Sequence, residues 1–137
     1  MKEDSKKYYL TSLVLLVIGC VDLLRGFLHT FDVVSASKTF AKLDLSFARD
    51  NQLTLLGAFG ISNILTGLIY ILISRKAKNL SPYILTIIPI SYIVGFIGLR
   101  VSGINATADF LGKYFMLFYL LVCIVTVGIY IYRTKKK

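Results

Sequence analysis

Three windows of this chain, residues 51–74, 79–99 and 114–132, contain no charged side chain, and each is about as long as a helix that crosses a bilayer. A hydrocarbon core about 30 Å thick takes about 20 apolar residues in helical form. A fourth window, 8–21, is too short alone and reaches that length only if the helix runs on through Asp22 and Arg25 to about Leu28. Hydrophobic residues make up 56% of the chain and charged residues 17%, more apolar than a soluble domain of this size can bury. The expected fold is all-α: one domain, 1–137, forming an integral membrane four-helix up-and-down bundle with spans at about 8–28, 52–74, 82–101 and 112–132.

The opening segment reads as a retained helix and not a cleaved leader, because Asp22 and Arg25 follow Cys20 where a small-residue cleavage site is needed. Cys20 and Cys123, both inside spans, give neither a disulfide framework nor a zinc site and read as packing residues. The net charge of +9 is spread over helix ends and not along one face, which speaks against nucleic acid and for orientation. Lys2, Lys6, Lys7, Arg75, Lys76, Lys78, Arg133, Lys135, Lys136 and Lys137 share one side, against Lys38, Lys42, Arg49 and Lys113 on the other. The positive-inside rule then places both termini in the cytoplasm of a multi-pass protein of the cell membrane. The basic tail anchors that topology and is also suited to touch anionic lipid.

The short turn 75–81, closed by Pro82 in the first turn of the third span, predicts that spans two and three are antiparallel neighbours. The longer segment 29–51 interleaves Val33, Val34, Phe40, Leu43, Leu45 and Phe47 with polar residues, which predicts a short interfacial helix or lid between helices 1 and 2. The two halves show no internal match of the kind inverted-repeat transporters carry. Ser91, Gly95, Gly98 and Ser102 form a small-residue stripe on the third span, and Gly60 and Gly67 flank Asn63 on the second. Such residues let membrane helices approach closely, so helix contact is the expectation for both sets.

Asp22, Arg25, Gly26 and His29 follow at helical spacing and share one face of the first helix. A charged group in hydrocarbon costs at least about 2.5 to 3.5 kcal/mol, so that face is expected to look into the bundle, with Asp22 and Arg25 able to pair. Gln52, Arg49 and Asp50 start the second span at the same depth, Arg100 ends the third, and Asn105, Asp109 and Lys113 precede the fourth. Gln52, Asn63 and Tyr70 line one side of helix two, and Tyr119, Cys123, Thr126 and Tyr130 one side of helix four, as an outward-opening polar cleft requires. The candidate ligand-binding residues are therefore Asp22, Arg25, His29, Gln52, Asn63, Arg100 and Asp109. The competing account is structural: a buried ion pair, an arginine reaching to headgroups and an interfacial histidine.

Arg25 and Arg100 offer planar paired donors to a carboxylate or phosphate, and His29 offers a proton site. The single histidine and two separated cysteines supply no protein-only metal site, though His29 could give one ligand to a haem or shared metal. No nucleophile stands beside a base at a telling spacing, so enzyme activity has no support here, and no cofactor is indicated. The four spans, with Gly57, Ala58, Phe59 and Gly60 leading through Asn63 to Gly67, resemble small DoxX-like four-helix membrane proteins. That resemblance implies a redox or respiratory membrane and carries no site residue with it. The functions that follow are a binding or accessory protein for a lipid headgroup, quinone-like molecule or small anion, a small dimeric proton-coupled transporter using Asp22, or a structural subunit of a larger membrane complex.

Overall fold

The computed structural model describes residues 7–104 and 111–136. Asn105 and Asp109 of the outer polar group, and Lys2, Lys6 and Lys137 of the charge count, lie outside the described residues. Four long helices account for nearly all of it: α1 (Tyr9–Phe31), α3 (Arg49–Lys76), α4 (Ser81–Val101) and α5 (Gly112–Lys135). A short α2 (Val33–Ala36) runs into a π-helical turn (Ser37–Ala41) between α1 and α3. All four long helices have the length and hydropathy to cross a membrane, and α1 does continue through Asp22 and Arg25, as the charge-interrupted window required. The chain is a small multi-pass membrane protein by helix composition.

Ring stacking of Tyr8 on Tyr130, with centroids 5.9 Å apart, brings the start of α1 to the end of α5. Further along, Asp22 meets Tyr119 and Arg25 meets Met116, so α1 and α5 are antiparallel. Gly19 lies against Gly67 and Gly26 against Gly60, which makes α1 and α3 antiparallel too. The order is up-and-down. The two ends of the bundle are consequently distinct: one gathers the start of α1 and the end of α5, the other the α1–α3 connection.

The α1–α3 contact has a simple sequence cause. Ser12, Gly19 and Gly26 recur every seven residues on α1, Gly60, Gly67 and Ser74 do so on α3, and all six are buried. Seven residues are nearly two helical turns, so each set stays on one face. A Cβ built on Gly19 would stand 2.9 Å from the carbonyl oxygen of Gly67, and one on Gly67 2.7 Å from that of Gly19. At Gly26 it would meet Ile64 Cγ1 at 2.6 Å and the Gly60 carbonyl at 2.8 Å. Only glycine permits this approach, which gains dispersion contact that the hydrophobic effect does not supply between helices in lipid. The two serines donate back to their own helices, Ser12 Oγ to the Tyr9 carbonyl and Ser74 Oγ to that of Ile71, so neither hydroxyl proton is left unpaired in the seam.

Because this seam holds α3 on α1, the short turn 75–81 does not make α3 and α4 close neighbours. Instead, α4 packs on α5 and α1, a correction to the expectation from loop length. Leu15 and Ile18 of α1, Leu85 and Ile88 of α4 and Cys123 of α5 form the apolar core, with Tyr70, Ile73 and Val127 packed against it. By the share of each span that is buried, 39% for α1 against 17, 17 and 11% for the others, α1 is the hub.

Pro82 occupies the first turn of α4, where its missing N–H costs no helical hydrogen bond. Pro89 is interior, where it removes one. Beyond it every residue from 90 to 104 is exposed. Among the described residues a Cβ on Gly95 or Gly98 would meet nothing within 4 Å, so the stripe of Ser91, Gly95, Gly98 and Ser102 packs on none of the described helices, contrary to expectation. Of the two cysteines, Cys123 is a core residue, whereas Cys20 is exposed on the outer face of α1 and not part of the buried core.

The α1–α3 connection contains the short helix that its interleaved pattern predicted. Ala36 and Ser37 anchor it, both buried. Two left-handed residues, Lys42 and Ala48, then turn the chain into α3.

Candidate functional site

On α1 the residues that face the bundle are Asp22, Gly26 and His29, while Leu24, Phe27 and Phe31 face outward. Asp22 is 5% exposed and His29 9%, and Arg25 is half-buried. The premise that charge this far up the helix shelters against protein therefore holds. The surrounding partners differ from the expected ones. Asp22 and Arg25 form no ion pair. Asp22 accepts a hydrogen bond from the Tyr119 hydroxyl of α5 at 2.9 Å, and Arg25 donates from Nη2 to Asn63 Oδ1 of α3 at 3.2 Å.

Arg25 is held on two further sides. Its Nη1 lies 3.3 Å from Met116 Sδ on α5, and its guanidinium carbon sits 5.3 Å from the centre of the Phe59 ring. His29 approaches the same ring at 5.8 Å. A cation over an aromatic face gains about 0.5 to 2 kcal/mol, the larger value where water is excluded. Asn63 reaches Arg25 because the Gly60 and Gly67 contacts on either side of it press α3 onto α1. The neighbouring helices thus give each charged group its own hydrogen-bond partner.

The hydrogen-bond inventory of this cluster is incomplete. Arg25 Nε, Asn63 Nδ2, His29 Nδ1 and Thr30 Oγ1 are buried and have no hydrogen-bond partner among the described residues. Among the described residues one other side-chain polar atom shares that condition, Ser81 Oγ, which belongs to the start of α4. Asn63 is itself only 8% exposed. An arginine Nε and an amide nitrogen carry only hydrogens to give, so at least these two point to an absent acceptor oxygen. The cluster is walled by α1, α3 and α5, and no residue of α4 beyond Pro89 is buried against it.

The other expected site residues go elsewhere. Gln52 uses its side-chain nitrogen to tie the connection down, donating to the carbonyls of Asp44 and Phe47 at 2.9 Å each. Arg100 lies on the exposed last turn of α4, its guanidinium 5.2 Å from the Phe96 ring of the same helix. Asp109 is outside the described residues. The α5 stripe is the inward face as expected, with Cys123 and Thr126 buried and Tyr119 and Tyr130 half-buried. Phe59, Met116 and Thr30 were not anticipated as site residues. Phe59 stands one turn from Asn63 and Met116 one turn from Tyr119, so each shares the face of a residue that was.

No family model, characterised protein or solved structure matches this chain. These comparisons lend nothing to the DoxX-like resemblance, and function has to be argued from the site. Among the described residues, no three His, Cys, Asp or Glu side chains gather as a metal ligand set. What the arrangement offers chemically is a fixed cation with an aromatic wall and spare N–H donors in a low-dielectric setting. Those are means to hold an oxygen acceptor and orient it.

Proposed function

We propose that the chain is a membrane protein of the binding or accessory type, which holds a lipid headgroup, a quinone-like molecule or a small anion against Arg25 and Asn63. The observation that carries this reading is the pair of buried donors, Arg25 Nε and Asn63 Nδ2, without an acceptor. An unpaired buried polar group costs about 1 to 3 kcal/mol, and a ligand oxygen would offset that cost. The ten-to-four division of Lys and Arg between the two sides supports cytoplasmic termini, and the site then opens towards the outside. A place among DoxX-like proteins of redox or respiratory membranes belongs to the same proposal, supported by the number of helices and the glycines of α3.

The test is the set of small molecules that co-purify with the chain in native-lipid particles, read by mass spectrometry for the natural sequence and for Arg25→Gln. The reading expects a bound species that the substitution removes. An unchanged spectrum contradicts it. A second reading, a dimeric proton-coupled transporter, is favoured by Asp22, a buried carboxylate whose hydrogen-bond partner is the Tyr119 hydroxyl and not a cation. It predicts that Asp22→Asn abolishes proton-linked uptake in proteoliposomes.

A further inference from the structure

At the opposite end of the α1–α3 seam is a second recess, unrelated to the Arg25 cluster. It is a cavity of about 250 Å³, lined on α1 by Ser12, Leu13 and Leu16 and across the seam by Ser74, Arg75 and Lys78. Its origin is the last small pair of the seam. Ser12 and Ser74 are buried, but their hydroxyls turn back onto the carbonyls of Tyr9 and Ile71 and leave the space beside them open. Arg75 and Lys78 stand exposed at the rim, with no hydrogen-bond or ion-pair partner among the described residues. Tyr9 completes the rim.

The lining is graded along the helix axis. Leu13 and Leu16 lie about 6 to 10 Å further into the span than Tyr9, at about 1.5 Å per residue. Cationic groups therefore mark the outer end and apolar ones, with Leu13 open to the surface, the inner end, the polarity order of a phospholipid lying along the helix from its own leaflet. The volume is below the range of about 300 to 1,000 Å³ that encloses a whole small molecule. It fits part of a ligand whose remainder stays in the bilayer.

We propose that this recess is a site for an anionic glycerophospholipid, with Arg75 and Lys78 gripping the phosphate and Leu13 and Leu16 receiving the head of one acyl chain. The grip is charge-assisted hydrogen bonding from two donors on either side of a tight turn. The turn supplies an internal control in Lys76, which has the same charge but does not line the recess.

Native mass spectrometry of the full chain, titrated with phosphatidylglycerol, phosphatidylcholine or inorganic phosphate, tests this. The expected result is one retained phosphatidylglycerol, bound more tightly than phosphatidylcholine and not displaced by an equal concentration of inorganic phosphate. Arg75→Gln and Lys78→Gln should each weaken it about fivefold, the contribution of one basic residue near an anionic surface, while Lys76→Gln changes it less than about twofold. These positions are exposed, so the variants keep the fold. Equal weakening by Lys76→Gln would reduce the recess to diffuse charge, equal binding of the two lipids would remove the anion requirement, and displacement by inorganic phosphate would make it a free-ion site. Any of the three overturns the assignment.

Discussion

Gly19, Gly26, Gly60 and Gly67 lie where two helices touch, whereas Gly95 and Gly98, on a stripe of equally small residues, touch no other helix among the described residues. The difference is one of register. In the first region each small residue meets another across an antiparallel pair, on repeats of seven that keep pace with each other. In the second, no residue of α4 beyond Pro89 is buried among the described residues. A small side chain permits close approach; a facing small side chain in step with it makes the contact.

The largest effect should come from closing that gap. Gly26→Leu has no room beside Ile64 and the Gly60 carbonyl, and overpacking of this kind costs about 1 to 3 kcal/mol or more. Gly95→Leu should stay within about 0.5 kcal/mol, as surface substitutions usually do. Reversible unfolding in detergent compares the two, and equal losses would erase the distinction between the regions.

Next in size is the polar pair that the seam brings together. Asn63→Leu removes the acceptor of the half-buried Arg25 Nη2, at a cost of about 1 to 3 kcal/mol, measurable by the same unfolding assay. Ala48→Gly should be milder and of opposite sign. Ala48 has a φ of 49° at the start of α3, where a Cβ costs roughly 1 to 2 kcal/mol, so glycine should raise the thermal midpoint unless the added freedom of the unfolded chain cancels the gain.

Smallest of all is a local pH effect in the connection between α2 and α3. The Ser46 hydroxyl and its backbone N–H, the latter 2.9 Å from Asp44 Oδ1, hold the Asp44 carboxyl below its ordinary value. The added order of this turn is present above the usual carboxylate range and is lost as pH falls through the depressed value. The Ser46 amide resonance should titrate with a midpoint below the ordinary value of an aspartate that accepts no such bonds, and a midpoint at or above it would contradict the bond.

Much of the architecture was legible because membrane helices declare themselves by length and by absence of charge. The inward face of α1 was legible for the same energetic reason: Asp22 has nowhere else to go. Partner choice was harder to read. Asp22 and Arg25 are spaced to pair on one helix, yet Tyr119 and Asn63, delivered by other helices, take them instead. The glycines of α3 were recognised as contact residues, but their partners Gly19 and Ser12 become visible only when both helices are aligned antiparallel. Pro89 was the available signal that burial along α4 would end there. Gln52 was placed by helical phase alone, which takes no account of the loop carbonyls of Asp44 and Phe47 within its reach.

The most direct test is a scan of single nitroxide labels along α1 in lipid vesicles, reading accessibility to oxygen dissolved in the bilayer. The account predicts a helical wave with minima at Asp22, Gly26 and His29 and maxima at Leu24, Phe27 and Phe31. Labels at Asp22 as accessible as those at Leu24 would show the charged face turned to lipid, and with that the sheltered cluster and the ligand assigned to it would both be lost.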